Sequence, residues 1–373
     1  MGAGGTYQRI QVSFLIKGLH VSKKSELLFD KIILPSPALT NWIPEKGTIE
    51  EIKDHTFQIP KQEELIKLSL SSINVSIVRR YSREYSYKEL RASRECQFRL
   101  ESDSPINLEI ISKLISQLKK LILFLTNVNP EFESFSLYKA NEHYELVNTK
   151  DRLNDNRFSQ NIKVSYGNVN HTLGKVIENW VLNEKLHPVI DLILEKCFNT
   201  EMSPQGFFLN ICSAFEVYNS SFGGIGKNDP LRERIKKRRQ IACLIKDDPL
   251  KAIFKQESSS WKNPTLKERI MEFKDVIHLI KGDVFTFDTD EFIAKVVGTR
   301  NLIAHTGKYK KHFNNGIELT LASKIMEFTM RLEILKFLGV EINSPRGSLV
   351  GNAKQNVEIF AISNEYPIEK RLK

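Results

Sequence analysis

The chain is poor in cysteine, with four among 373 residues, and none of them stands in a Cys-x-x-Cys pair. Cys96, Cys197, Cys212 and Cys243 have no histidine nearby at zinc-ligand spacing, so neither a metal knuckle nor a disulfide framework is indicated. The sequence also lacks His-Glu-x-x-His and Gly-x-Ser-x-Gly, which leaves metalloprotease and serine-hydrolase chemistry with no local basis. Its longest apolar run, around Leu121–Leu125, is far too short to span a bilayer, and no signal-peptide pattern opens the chain. No membrane attachment is expected, and a reducing cytoplasm fits best. Met1-Gly2 with Thr6 matches a loose myristoylation pattern but is read as an ordinary chain end. Gly223-Gly224-Ile225-Gly226-Lys227 has the look of a phosphate loop, yet it follows a helix and has no Ser or Thr after the lysine, so it reads as a helix stop.

What the sequence does have is an ordinary globular composition, 41% hydrophobic and 27% charged, with enough length for two cores. Basic residues outnumber acidic ones, 55 to 45, giving a net charge of +10 that favours polyanionic partners such as nucleic acid. From Gln8 to about Glu145 the pattern is mainly of strands: Ile10, Val12 and Phe14 alternate with polar residues, as do Ile73, Val75 and Ile77. One long helix interrupts them, starting near Ser104-Pro105, carrying Ile110, Ile111, Leu114, Ile115, Leu118, Leu121, Ile122 and Leu125, and ending at Asn129-Pro130. The polar stretch from Asn148 to Gln160 marks the boundary, placed between residues 155 and 156. Helical stripes follow at about 172–197, 204–222, 230–246, 264–281, 289–305 and 317–338, and the tail after Gly339 reads as short and mixed. The fold class is α+β: a β-rich N-terminal domain with one long helix, then an all-α bundle.

The stripe at 289–305 carries an anomaly. Asp288-Thr289-Asp290-Glu291 is a capping start, and Thr306-Gly307 is a stop. On a wheel advancing about 100° per residue, Phe292, Ile293, Val296, Val297, Ile303 and Ala304 share one arc, and Arg300 falls in the middle of it. Burying a permanent cation is costly, so this helix must border an anion, a polar cleft or a subunit interface. Asn301 and His305, four apart, lie on one flank within reach of the arginine. A guanidinium can hold charge growing on a phosphate, and an imidazole can move protons near neutral pH, so the set suits metal-independent phosphodiester cleavage without a cofactor. The blander alternative has His305 capping a helix and Arg300 paired with a buried carboxylate.

The surroundings add a resemblance. Phe208-x5-Ala214-Phe215-Glu216 on an early helix, followed by Arg300-Asn301-x3-His305 on a later one, resembles the HEPN superfamily, and more narrowly the ApeA-type HEPN proteins of bacterial anti-phage defence. The likeness covers about residues 170–340. Ser25-Glu26-Leu27-Leu28-Phe29-Asp30 and Leu39-Thr40-Asn41-Trp42 resemble that family's N-terminal domain. The resemblance implies an all-α HEPN bundle in the second half, RNA cleavage with Arg300 and His305 as catalytic residues and Asn301 as their polar companion, and two protomers setting their motifs face to face in a homodimer. It further implies a cyclic-phosphate product, tRNA as substrate and phage infection as trigger, with a sensing or regulatory N-terminal domain. Some HEPN proteins bind nucleotides or partners without cutting, which keeps a non-catalytic module as the rival.

Glu216 lies at the edge of its helix's apolar stripe, placed to orient Arg300 or simply to face solvent. Arg232, Arg234, Lys236, Lys237, Arg238 and Arg239 form a dense basic run that could guide RNA by counterion release or be a solvated helix face. Arg79, Tyr81, Arg83, Tyr85 and Tyr87 share the odd-numbered face of a strand; bases could stack there, but a packed face is the preferred reading.

Overall fold

The alternating segments of the first half pair into one antiparallel sheet of seven strands. The computed structural model describes residues 14–17, 19, 27–45, 50–53, 56–58, 62–86, 89–128, 130, 134–140, 142–148, 164–199, 201–223, 229–259, 263–305, 309–344, 347–364 and 366. Ile10 and Val12, Gly2, and most of the glycine-rich stretch after Gly223 lie outside them. The chain forms two compact units, one of residues 1–159, 163–182 and 338–340, the other of 160–162, 183–337 and 341–373.

In the first unit come β1 (Phe14–Lys17), β2 (Leu28–Pro35), α1 (Pro37–Trp42), β3 (Glu50–Lys53), β4 (Thr56–Gln58), β5 (Glu63–Leu70), β6 (Ile73–Ser86), β7 (Glu89–Asn107), α2 (Leu108–Thr126), β8 (Ser134–Lys139) and β9 (Glu142–Asn148). The large sheet has the order β1-β9-β8-β2-β7-β6-β5, while β3 and β4 make a separate hairpin. The period-two pattern works as expected in the middle of the sheet, where Val75 faces Leu100 and Ile77 faces Phe98, all buried. A register shift between Phe29 and Lys31 lets β2 bury Phe29, Ile32 and Leu34 on one side.

The α2 helix begins later than its proline suggests. Residues 104–107 stay in β7, and the Asn107 side chain caps the helix by accepting from the Ile110 N–H at 2.9 Å. It ends at Asn127, which takes the left-handed conformation (φ 57°) and sends its N–H to the Leu123 carbonyl. The unit also keeps α3 (Tyr166–Val169) and α4 (Leu173–Leu182), although their sequence reads as the start of the helical half. Packing explains the difference: α4 buries Leu173, Val176, Ile177 and Trp180, and the Trp180 indole donates to the Gln117 carbonyl of α2 at 2.9 Å.

Two arginines of the sheet close the carbonyl end of α1. Arg94 donates to the Thr40 carbonyl at 2.6 Å and the Ile43 carbonyl at 3.1 Å. Arg79 donates to the Pro44 carbonyl at 3.0 Å and pairs with Glu63 at 2.8 Å. A cation at a helix C-terminus satisfies orphan carbonyls and opposes the helix dipole. This fixes the Leu39-Thr40-Asn41-Trp42 segment, and it makes Arg79, only 1% exposed, part of a packed face.

The second unit is helical. It runs through α5 (His187–Phe198), α6 (Pro204–Phe222), α7 (Asp229–Leu244), α8 (Asp248–Glu257), α9 (Leu266–Met271), α10 (Lys274–Lys281), α11 (Thr289–Ala304), α12 (Gly316–Phe337) and α13 (Leu349–Ser363), with β10 (Asn343–Ser344) and β11 (Gly347–Ser348) as a small hairpin. The expected 172–197 helix is broken by a 3-10 turn at Glu184–Leu186, after which Pro188 opens α5. The expected 264–281 helix is broken at Glu272 and Phe273. There Glu272 accepts from the Asn219 amide at 2.6 Å, and Phe273 stacks edge-on against Phe215 of α6. The tail read as short and mixed forms α13, because Leu349, Val350, Ala353, Val357 and Ala361 make a buried helical stripe. At the centre lies α12, buried on every side from Leu319 to Leu335 and packed against α6, α10 and α13.

Arg79→Ala leaves the Pro44 carbonyl without its donor and should lower the stability of the sheet unit by about 1–3 kcal/mol. Denaturant unfolding of the full chain measures this, and an unchanged first midpoint would mean that water replaces the guanidinium at no cost.

Candidate active site

The helix carrying the Arg-x4-His motif is firmly set at its start. The Asp288 side chain accepts from the Glu291 N–H at 2.7 Å, and Phe292, Ile293 and Val296 are fully buried. Just upstream, the buried Lys281 ammonium donates to the carbonyls of Gly282, Phe285 and Phe287 at 3.2, 3.1 and 2.9 Å, which locks the loop entering α11. The other end differs from the wheel. Burial stops at Gly298 and Thr299; Ile303 is half-buried, while Leu302, Ala304 and His305 are exposed. The apolar stripe therefore outruns the helices it packs on, namely α6, α9 and α10. Arg300 sits at the edge of the packed region, with 30% of its side chain exposed, and is not enclosed in it.

Arg300 bridges two helices. One terminal nitrogen stands 3.5 Å from the Glu216 carboxylate of α6 and the other 3.3 Å from the Asn301 side-chain oxygen. A half-exposed ion pair at that separation contributes at most about 1 kcal/mol, so its effect is on direction more than on stability. A guanidinium has five N–H donors, and these two contacts leave the others for an anion. Glu216 is itself anchored through its backbone, whose carbonyl accepts from Arg269 of α9 at 2.5 Å. One turn earlier on α6, burial pushes the Cys212 thiol well above its usual range, the Glu216 carboxylate adds to this and Arg300 opposes it. Cys212 thus stays a neutral packing group beside the ion pair.

His305 is the residue at which the helix gives way. Its backbone is extended (φ −141°, ψ 144°), its N–H closes the last turn on the Asn301 carbonyl at 2.8 Å, and it is exposed. Further on, residues 309–313 return along α11. The Phe313 N–H donates to the buried Thr299 hydroxyl at 2.9 Å, and the Phe313 ring packs 5.8 Å from both Phe285 and Phe292. The Lys311 carbonyl passes so close to Gly298 that a Cβ there would stand 1.7 Å from it. Sequence reasoning missed this strap, although a glycine inside an otherwise good helix is itself a sign of close backbone approach.

Two family models match the chain: "ApeA N-terminal domain 1" over residues 1–180 and "Apea-like HEPN" over residues 209–343. The chain belongs to the ApeA-type HEPN proteins. Comparison with curated proteins and with solved structures returned no match. The first ApeA match runs through Trp180, in keeping with the packing of α4 onto α2. The HEPN match spans α6 to α12, and so includes Glu216, Arg300, Asn301 and His305. HEPN domains are generally ribonucleases, and the pairing with an ApeA N-terminal domain associates this one with anti-phage defence.

Within this HEPN unit the basic run of α7 divides in two. Arg234 pairs with Glu268 at 2.5 Å and donates to the Asn263 carbonyl at 3.0 Å. Arg238 donates to the Ser258 carbonyl at 2.8 Å and the Lys255 carbonyl at 2.7 Å. These two, one turn apart, hold α7 to the segments around α8 and α9. Arg232, Lys236, Lys237 and Arg239 are exposed, and three of them line an open depression of about 340 Å³ with Ile235 and Gln240. Among the described residues, no three of His, Cys, Asp or Glu come together as a metal-binding group, and no helix is long and apolar enough to cross a membrane.

Gly298→Ala must push the strap away from α11 or distort the helix, and should cost about 1–3 kcal/mol of stability. Thermal unfolding checks this; a wild-type Tm would mean that the strap yields without loss.

Proposed function

We propose that this HEPN protein is a metal-independent endoribonuclease in which Arg300 stabilises charge on the scissile phosphate and His305 transfers protons. The observation that carries the reading is the pairing of an oriented, partly open guanidinium with an exposed imidazole at the end of the same helix. In the proposed step the 2′-oxygen forms a bond to phosphorus and the bond to the 5′-oxygen breaks, leaving a 2′,3′-cyclic phosphate. The proton leaves the 2′-hydroxyl and another reaches the departing oxygen, both through imidazole. Two protomers supply both imidazoles: the exposed Leu302 and Ala304 beside His305 give a second copy an apolar seam to cover. Glu216 holds Arg300 in direction, Asn301 steadies it, and the exposed cations of α7 draw in RNA. The substrate proposed is tRNA in the bacterial cytoplasm, cut when phage infection is sensed through the ApeA unit.

Purified protein incubated with bulk tRNA in EDTA should give fragments with defined ends and cyclic phosphates. His305→Ala and Arg300→Ala should each lose at least about 100-fold in rate while remaining dimeric. Unimpaired cleavage by His305→Ala would remove the mechanism, and intact tRNA with wild-type protein would favour a binding module. Glu216→Gln should shift stability by no more than about 1 kcal/mol yet slow cleavage clearly; loss of both in proportion would mark Glu216 as a packing group only.

A further inference from the structure

The strap that returns along α11 carries its own chemistry. After His305 the next acidic residue is Glu318, and the residues between include Lys308, Lys310, Lys311 and His312. Lys310 and Lys311 are exposed, although the chain that bears them is held against α11 at Lys311 and Phe313. Its anchor is Phe313, by its N–H to Thr299 and its ring in the aromatic cluster, while the His312 ring nitrogen, 2.9 Å from the Tyr309 carbonyl, closes a turn within the strap itself. The backbone contact at Gly298 sets the position along the helix. Gly298 lies about 40° on the wheel from Leu302, 60° from Asn301 and 160° from Arg300, so the strap crosses the flank of α11 that leads to its exposed end at His305, on the side away from Arg300. Seven residues at 1.5 Å each separate it from His305, about 10 Å along the axis.

Two lysines held on a pinned strap differ from two on a mobile tail: the ordering cost is met on folding, and the charges stand at a fixed distance from the reacting groups. Resting on the ribonuclease reading above, we propose that Lys310 and Lys311 form a phosphate-binding platform for the RNA strand, about three nucleotides from the scissile bond at roughly 3.4 Å per stacked nucleotide. The platform reads backbone charge and not base identity, and it leads the strand to His305 at the end of α11. Charge complementarity selects the ligand, since no carboxylate lies between His305 and Glu318 to favour a cationic or neutral one.

The test uses the full chain with His305→Ala, so that RNA stays intact, and a labelled tRNA transcript titrated from 50 to 300 mM KCl in EDTA. Lys310→Ala/Lys311→Ala should weaken binding and lower the slope of log Kd against log salt by about 1.4, near 0.7 per lost single-strand contact. Lys185→Ala/Lys336→Ala removes the same charge from exposed positions elsewhere and should leave both quantities near the reference. An unchanged slope in the strap variant, or an equal fall in the control, overturns the platform. Cleavage by the wild-type chain distinguishes the two levels: a protein that neither binds nor cuts tRNA removes the ribonuclease reading and the strap with it. Cutting that survives while the strap slope stays unchanged removes the strap alone.

Discussion

The pairing of α6 with α11 through Glu216 and Arg300 is the constraint on which the site depends. A guanidinium cannot shed its charge, so it must be given a partner or left in water, and here it has some of each. The carboxylate at 3.5 Å is near enough to aim the side chain and too far to saturate it. A tight bidentate pair in a closed core would be more stable and chemically silent. Arg269 matters for the same reason, because its bond to the Glu216 backbone fixes the turn of α6 from which the carboxylate projects.

That geometry was legible in the sequence to an uneven degree. The limits of α6, α11 and α12 follow from caps and apolar stripes, whereas the arginine that the wheel set within the stripe of α11 stands at the edge of the packed region. The wheel erred in carrying the stripe through Ala304, since periodicity says which residues share a face and not how far a neighbour extends along it. The difference lies at Ile303 and Ala304, apolar residues that the protomer itself leaves half-buried or exposed. Likewise, α4 has the same amphipathic pattern as the helices after it, and only its partner, Gln117 and its neighbours on α2, assigns it to the sheet unit.

Other features were hidden for a different reason, that one residue type serves two purposes. In the α7 run, Arg234 and Arg238 hold carbonyls and a carboxylate while Lys236 and Lys237 face solvent, though all four look alike in sequence. Arg232 and Arg239 are exposed with the lysines, so the split follows place on the helix, with Arg234 and Arg238 one turn apart on the packed side, and not side-chain type. The stripe in α13 was overlooked because small residues form much of it, and alanine marks a close helix contact less visibly than leucine.

The two ends of α11 show how rigidity and reactivity can share one element. At its start, a buried ammonium holds three carbonyls of the entering loop, and Phe285, Phe292 and Phe313 pack into one cluster. Phe313 belongs to the strap, so the same cluster that fixes where the helix begins also fixes what returns past its middle. From Arg300 onward this support ends, and the side chains suited to phosphate chemistry stand in the last turn and a half. A helix is stiff over such a length, so anchoring one end positions the other without burying it. Burying His305 would have secured its position too, but at the expense of access from solvent; leverage from a locked start supplies the position and keeps the access.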